Sequence, residues 1–488
     1  MTSIPETEIV AWREILNREY AAPLLLVCLG VWLHAADSLI VATMMPAIVS
    51  EISGEAYVPW TIALYEIGSI IAGATSGLVS LRLGIRHPMI AAAGIFALGC
   101  FLSAAAPNMA MLLLGRLLQG FGGGGLTAMA FVSVAILFPS RLTARVMAAI
   151  SVLWGSSAFL GPLIGGLFVA HASWRYGFAF FGVQAVFLAL FIFYVIRIHE
   201  RPKAKDADNR LPFGRLVLLS FGVLSIAYAG IVVTPIRTPI LLVLGVLLLL
   251  GFLRVDARFP SNRLLPKNPL TLRSKVGAAL TGILLMNIGI MGLSTYGALL
   301  LTAIHGVSAL VAGYVLASVS FGWSITALLV SGAPERHDPY FIGGGMTLVM
   351  LSVIGMIFAI PSGPLWLIIV FAALEGIGYG ASYTFIIRRT TKFAQADDVE
   401  RLSAALPTLS RLGFALGASV SGILANAAGF SLAGSPEHAQ HVARVIFTGS
   451  LPFAVLGLFA MLCFVATKNP VQLFGKPKQH GPDQRQHR

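Results

Sequence analysis

The stretch TPILLVLGVLLLLGFL, at Thr238–Leu253, decides how many times this 488-residue chain crosses a membrane. It is short, because a membrane-spanning helix needs about 20 mostly apolar residues. Its flanks favour a span all the same, since Arg254 and Arg258 follow it and the gap before it holds one basic residue, Arg237. Without this span, every later loop would lie on the opposite side of the membrane.

The other apolar segments extend this interpretation to the whole chain. They lie at residues 22–46, 58–80, 88–106, 109–138, 145–170, 176–197, 214–233, 276–303, 308–332, 340–361, 365–387, 402–427 and 445–467. All but five of the 33 Lys and Arg lie in the two tails, or in and beside alternate gaps between the segments. Cytoplasmic loops carry such an excess of basic residues. The pattern therefore predicts an all-α membrane protein with 14 spans and both termini in the cytoplasm.

Composition excludes several other classes of protein. Hydrophobic residues make up 57% and charged residues 11%, far from a soluble domain. The net charge of +13 is spread over loops on one side, which does not indicate a nucleic-acid partner. Cys28, Cys100 and Cys463 lie in apolar segments and form neither a disulfide framework nor a metal set. No phosphate-binding G-x-x-x-x-G-K-S/T motif occurs, which disfavours an ATP-driven pump.

Polar linkers divide the predicted spans into groups of six, two and six. The predicted parts are an N-terminal segment at 1–20, a six-helix bundle at 21–198, a linker at 199–213, an extra helix pair at 214–253, a linker at 254–275, a second six-helix bundle at 276–467 and a tail at 468–488. Residues 9–20 predict an interfacial helix, with a disordered tail as the alternative. QGFGGG at Gln119–Gly124 recurs as EGIGYG at Glu375–Gly380, in corresponding spans of the two bundles.

Five motifs carry a specific family resemblance. They are DSLIVATMMPAI at Asp37–Ile48, WTIALY at Trp60–Tyr65, RLLQG at Arg116–Gly120, GPLIGG at Gly161–Gly166 and GVSALVAG at Gly306–Gly313. With them, the chain resembles the fourteen-helix drug:proton antiporters of the major facilitator superfamily. The resemblance implies two six-helix bundles with an extra pair, alternating access, and a site between the bundles. It also implies a monomer in the bacterial inner membrane that is driven by the proton gradient, without a cofactor or metal.

The loop between the second and third spans departs from that family. Gly77, Arg82, Gly84 and Arg86 match its gating loop, but Leu81 stands where the family has an Asp. In the family, this Asp forms a cytoplasmic charge lock between the halves, and here the lock lacks its carboxylate.

Charged residues inside predicted spans are the first candidates for function, because a membrane tolerates them only at a cost. Asp37 is the predicted coupling acid, since a carboxyl that binds and releases a proton performs the chemistry that coupling needs. Arg116, which cannot deprotonate, is expected to tune it. Glu66 and Glu375 are expected to share proton or cation binding. The alternatives are a capping Asp at a span edge, structural ion pairs and a protonated, hydrogen-bonded Glu.

The remaining candidate residues fall into two sets. Those expected to bind substrate are His34, Tyr65, Gln119, Asn287, Tyr296 and Arg411, and those expected to form a hinge are Gly155, Gly161, Pro162, Gly165 and Gly166. We expect Arg411 to pair with Glu375, and His34 is more typical of a packed polar residue than of a relay. Pro162 removes a helix hydrogen bond and the glycines allow close packing, so a plain packing seam is the alternative to a hinge.

The predicted function is export of amphipathic organic compounds, with the lipid bilayer, protons and the small solute as partners. The alternative is a dedicated exporter or flippase of one lipid, siderophore or metabolite. A membrane enzyme or non-transporting sensor is more remote. No His/Asp/Glu set has metal spacing, no nucleophile–base set stands out, and no soluble domain is appended.

Overall fold

A computed structural model describes residues 12–196, 212–259, 263–394 and 396–466, and this part of the chain is helical without any strand. We number its long helices α1 (Ala21–Ile52), α2 (Val58–Leu83), α3 (Arg86–Ala104), α4 (Met109–Leu137), α5 (Thr143–His171), α6 (Trp174–Val195), α7 (Phe213–Ala229), α8 (Arg237–Ala257), α9 (Lys275–His305), α10 (Ala309–Val330), α11 (Asp338–Ser362), α12 (Leu365–Phe393), α13 (Ala396–Ala427) and α14 (Pro436–Ala466). A short helix at Trp12–Ile15 precedes α1. The interfacial helix predicted over 9–20 is therefore wrong in its extent, because residues 16–20 form turns between this short helix and α1. Residues 9–11, most of the 199–213 linker and the tail from 468 lie outside the described residues.

Helix lengths correct one expectation about the spans. Thirteen of the described helices are long and apolar enough to cross a membrane. The stretch at 238–253 belongs to one of them, because α8 is 21 residues long and continues to Ala257. The short helix is α7, with 17 residues, so the predicted span at 214–233 is wrong at its end. Beyond α7 the backbone turns instead, and Thr238 donates a hydrogen bond to the Ala229 carbonyl oxygen (3.2 Å).

Local sequence explains where several helices begin and end. At the junction of α9 and α10, Gly306 takes a left-handed conformation (φ 63°) that glycine adopts without strain. Ser308 then accepts a hydrogen bond from the Val311 N–H, which caps the start of α10. Asn108 caps α4 in the same way through the Met111 N–H. The GVSALVAG motif is therefore a helix stop followed by a helix start.

The helices pack as two groups of six, with α7 and α8 beside them. Within the first group, α4 packs against α2 and α3, and α5 packs against α1. Within the second, α12 packs against α10 and α11, and α13 packs against α9. The two groups meet mainly along α2–α13 and α5–α10, which are equivalent pairings in the two halves. The α7–α8 pair packs on α13 and α2.

The sequence repeat corresponds to a repeat in packing. A side chain added at Gly120 would meet the Tyr65 carbonyl oxygen, and one at Gly376 would meet that of Val319. Three further contacts match in the same way. Gly122 faces Phe96 as Gly378 faces Val349, Gly124 faces Ser69 as Gly380 faces Trp323, and Gly161 faces Leu39 as Gly413 faces Asn287. These glycines thus allow two helices to approach closely in the same way in each half.

Close contacts join the halves at one end of the bundle. We call it the far end, defined as the end where α1 finishes at Ile52 and α2 begins at Val58. There, the Cα of Gly166 faces Leu310, and Gly422 faces Pro59. Asn426 also donates a hydrogen bond to the Ala56 carbonyl oxygen (3.1 Å). In this structure the two halves are therefore closed against each other at the far end.

Candidate functional site

The core of the first half contains a buried ion pair. Arg116 on α4 donates to Asp37 on α1, with Nη1 and Oδ2 2.5 Å apart, and both residues are at most 2% exposed. The same nitrogen lies 2.6 Å from Gln119 Oε1, and Arg116 Nε donates to the Thr61 carbonyl oxygen (3.1 Å). The guanidinium is thus held by three helices, as a buried cation requires.

Two further contacts position this pair. Gln119 Nε2 donates to Cys100 Sγ (3.3 Å), which leaves its carbonyl oxygen directed at Arg116. The Arg116 guanidinium also lies 4.3 Å from the centroid of the Tyr65 ring, at cation–π distance. RLLQG and WTIALY, which are far apart in the sequence, therefore meet around Asp37.

A series of polar side-chain contacts connects this core to the other half of the molecule. Tyr65 Oη lies 2.6 Å from His34 Nδ1, and His34 Nε2 lies 3.1 Å from Arg411 Nη2 on α13. Arg411 Nη1 lies 3.3 Å from Glu66 Oε2 on α2. His34, Tyr65, Glu66 and Arg411 are predicted functional residues for separate reasons, and the structure brings them into one series of contacts.

The expected pairing of Arg411 with Glu375 is wrong. Arg411 reaches across to α2, because α2 packs along α13 whereas α12 hardly touches it. Glu375 is 3% exposed, and it makes no hydrogen bond or ion pair with any residue that the structure describes. It occupies the place of Gln119 in the repeat, while the place of Arg116 is taken by Ala372.

The second half holds a polar contact that the sequence did not predict. Tyr379 donates to Asn287 Oδ1 (2.5 Å), and Asn287 Nδ2 donates to the Ser410 carbonyl oxygen (3.3 Å). Trp323 stacks on Tyr379 at 5.3 Å between centroids and lies 5.4 Å from Tyr383. Tyr379 and Tyr383 are spaced one and two turns after Glu375, and this helical spacing is the signal that could have found them.

Other candidates lie apart from this network. Tyr296 is fully buried, packs edge-on against Phe430 at 5.4 Å, and its hydroxyl has no partner among the described residues. Arg86 of the gating loop donates to the Phe193 carbonyl oxygen (2.7 Å), so it binds within its own half. The rest of that loop holds Gly84, in a left-handed turn between α2 and α3, with Gly77 and Arg82 on α2.

The Gly-Pro run of α5 lies at the contact of both halves. Gly161 and Gly165 face Leu39 and Ile40 of α1, and Gly166 faces Leu310 of α10. Pro162 lies inside α5 and faces Gly313 of α10. Gly155 is more open, with Ser324 Oγ 3.9 Å from where its Cβ would lie. Each half thus approaches the other at residues that lack a side chain.

Within the described ranges, no group of three or more His, Cys, Asp or Glu is placed to hold a metal ion. The arrangement instead offers one buried carboxylate–guanidinium pair, Asp37 with Arg116, one partly buried pair, Glu66 with Arg411, and a histidine between them. The carboxyl groups and the imidazole can bind and release protons, while the guanidinium groups keep their charge and balance that of the carboxylates.

Comparisons with known proteins agree with this architecture. Residues 27–333 match the family model of the Major Facilitator Superfamily. A probable multidrug-efflux transporter of Mycobacterium tuberculosis is 25% identical over 438 residues, which cover 86% of this chain and 91% of that protein. An acurin A biosynthesis cluster MFS-type transporter of Aspergillus aculeatus is 31% identical, but over 52% of this chain and 47% of its own.

Among solved structures, the chain resembles an inward-facing, unoccupied bacterial homologue of the human lysosomal transporter Spinster. The TM-score is 0.62 at 16% identity, covering 92% of this chain and 97% of that one. A D-xylose–proton symporter gives the same TM-score at 15% identity, covering 90% and 97%. At these identities the likeness shows the fold alone.

Proposed function

The chain belongs to the major facilitator superfamily and is a multi-pass membrane transporter, and we propose that it exports small amphipathic organic compounds in exchange for protons. The observation that carries the proposal is the buried contact of Asp37 with Arg116. A carboxylate there is stable only while the guanidinium compensates its charge. When Asp37 takes up a proton, Arg116 loses this partner, so the core has two states that differ by one proton.

Export, rather than uptake, is supported by two observations. The Gly161–Gly166 run, which resembles the element of the antiporters, lies at the contact of α5 with α1 and α10. A relative that matches 86% of the chain is named as a probable multidrug-efflux transporter. The proton gradient supplies the energy, so the proposed cycle requires neither a nucleotide nor a metal.

In the proposed cycle, the closed far end faces away from the cytoplasm, as the distribution of basic residues predicts. The protein would work as a monomer with 14 spans in a bacterial inner membrane, with both termini in the cytoplasm. The solute enters from the near end, where α1 begins, and leaves after the α5–α10 and α2–α13 contacts of the far end separate. Glu66 and Glu375 contribute further acidic groups between the bundles.

Proton movement in proteoliposomes tests the proposal. A pH gradient is imposed, and lipophilic cations, neutral drugs and amphipathic acids are added in turn. We expect a solute-dependent collapse of the gradient that Asp37→Asn abolishes, because asparagine cannot exchange a proton. Glu51→Gln is the matched control, since Glu51 pairs with Arg175 at the exposed far end.

No collapse with any of these solutes, in protein shown to be folded, would contradict multidrug export. Collapse with only one lipid, siderophore or metabolite would instead identify a dedicated exporter or flippase.

A further inference from the structure

Within the described network, His34 is the side chain that contacts both the core of the first half and α13 of the second half. Its ring is 8% exposed and lies between Tyr65 Oη and Arg411 Nη2. The contact with Arg411, 377 positions away in the sequence, joins α1 of the first half to α13 of the second. It therefore forms only when the two halves are together.

The chemistry of the partners fixes the state of the ring. A guanidinium has only N–H donors, so His34 Nε2 must accept from Arg411. A neutral imidazole carries one hydrogen, which therefore lies on Nδ1 and is donated to Tyr65 Oη. A second proton can add only at Nε2, where it removes the acceptor and brings an imidazolium against a guanidinium.

Every charged or titratable group that faces the ring bears on this step. Tyr65 on α2 and Arg411 on α13 contact the ring directly, and α5 contributes the uncharged indole of Trp154, 6.1 Å away between ring centroids. Asp37 on the same helix, Glu66 on α2 and Arg116 on α4 belong to the same cluster through the two ion pairs. The two carboxylates balance the two guanidinium groups when His34 is neutral. A proton on His34 therefore adds an uncompensated positive charge to a balanced cluster that is buried at Asp37 and Arg116 and partly buried at Glu66 and Arg411.

We propose that His34 is a proton-binding site that controls the contact between the two halves. Neutral His34 holds Arg411, and with it α13, against α1 and α2 while the far end is closed. Protonated His34 repels Arg411 and releases this contact. The inference goes beyond the proposed function: the proton exchanged for solute is assigned to Asp37, whereas His34 makes the contact between the two halves sensitive to pH.

Distances between spin labels at the far end test this without any solute. Labels are attached at Ala172→Cys and Ala433→Cys, two exposed loop positions in different halves. The native Cys28 and Cys463 are replaced by alanine, and Cys100 by serine, which keeps an acceptor for Gln119.

In the parent protein, we expect the ratio of separated to closed far ends to rise about tenfold as the pH falls from about 8 to about 5. A repulsion of about 1.4 kcal/mol between protonated His34 and Arg411 gives a ratio of that size. His34→Gln keeps an oxygen acceptor for Arg411 but binds no proton, so its far end should stay closed at both pH values. The matched control is His305→Gln, because His305 contacts the Ile360 carbonyl oxygen and no charged group among the residues that the structure describes. It should keep the full response.

An equal pH response in His34→Gln and in the parent would overturn the inference, as would a parent protein that does not respond. If His34→Gln does not fold, Arg411→Gln serves in its place, because it removes the repelling charge and should also abolish the response. A pH-dependent distance in a protein that shows no solute-dependent proton flux would support the His34 site while contradicting the proposed exporter.

Discussion

Arg116 Nη1 and Asp37 Oδ2 lie 2.5 Å apart, in a core where each residue is at most 2% exposed. The contact ties α4 to α1, and Gln119 and the Thr61 carbonyl oxygen occupy further donors of the guanidinium. A buried pair of this kind adds little net stability compared with apolar residues, but the loss of one partner leaves a buried charge alone. The pair is therefore sensitive to protonation of Asp37, which neutralises one of its two charges.

The first prediction follows from that asymmetry. Arg116→Met should lower the free energy of unfolding by about 3–5 kcal/mol, because Asp37 then remains buried without its cation. The double variant Asp37→Asn with Arg116→Met should recover most of this loss. Thermal unfolding in detergent measures both. An additive loss in the double variant would mean that the two side chains do not stabilise each other.

A glycine at the contact of α5 and α10 gives the second prediction. A Cβ at Gly313 would lie 2.5 Å from Thr43 Oγ1 and 2.9 Å from Pro162 Cβ, so a side chain there forces the halves apart. Gly313→Val should destabilise the closed far end by about 1–3 kcal/mol, as overpacking does. The labels at 172 and 433 should report a larger separated fraction. Gly344→Val is the control, because a Cβ at Gly344 would have no neighbour within 4 Å in the described part of the chain.

Much of the first half was predictable from the sequence, because its signals are local. Apolar segments gave the helices, and the RLLQG and DSLIVATMMPAI motifs gave Arg116 and Asp37, which the structure brings into contact. The repeat of QGFGGG and EGIGYG gave the matched packing of α4 and α12. Segment length was less informative, since hydropathy does not show that the chain turns at Gly230 and that α8 extends to Ala257.

Contacts between the halves were not predictable in the same way. Glu66 and Arg411 are 345 positions apart, and no local pattern records which helices face each other. The choice between Glu66 and Glu375 as the partner of Arg411 depends on the packing of α13 against α2. The buried pair of Arg215 and Asp256 was also missed. The two residues lie near the ends of the extra helices among basic residues, so neither stands out in the sequence as a buried charge.

Exchange of the charges at Glu66 and Arg411 gives the third prediction. Glu66→Arg or Arg411→Glu alone places two like charges about 3 Å apart and should reduce folded protein in the membrane severely. The double variant restores opposite charges at the same contact and should recover a substantial part. Fluorescence-detected size-exclusion chromatography measures the folded fraction. The pair Glu375→Arg with Arg411→Glu is the control, and rescue there instead would contradict the contact observed between α2 and α13.

The extra helices supply the fourth prediction, because two ion pairs of different burial can be compared in one chain. Asp256 accepts from Arg215 Nη1 at 2.6 Å and also from the Leu264 and Leu265 N–H groups, with both charged side chains at most 7% exposed. Asp256→Ala should therefore cost about 3–5 kcal/mol, since it leaves a buried guanidinium and two unpaired N–H groups. Glu51→Gln removes the charge of an ion pair that is 29% and 50% exposed but keeps an acceptor for Trp174 Nε1, and it should cost about 0–1 kcal/mol. Thermal unfolding of the two variants under one condition measures the difference, and equal losses would show that burial does not decide the strength of these pairs.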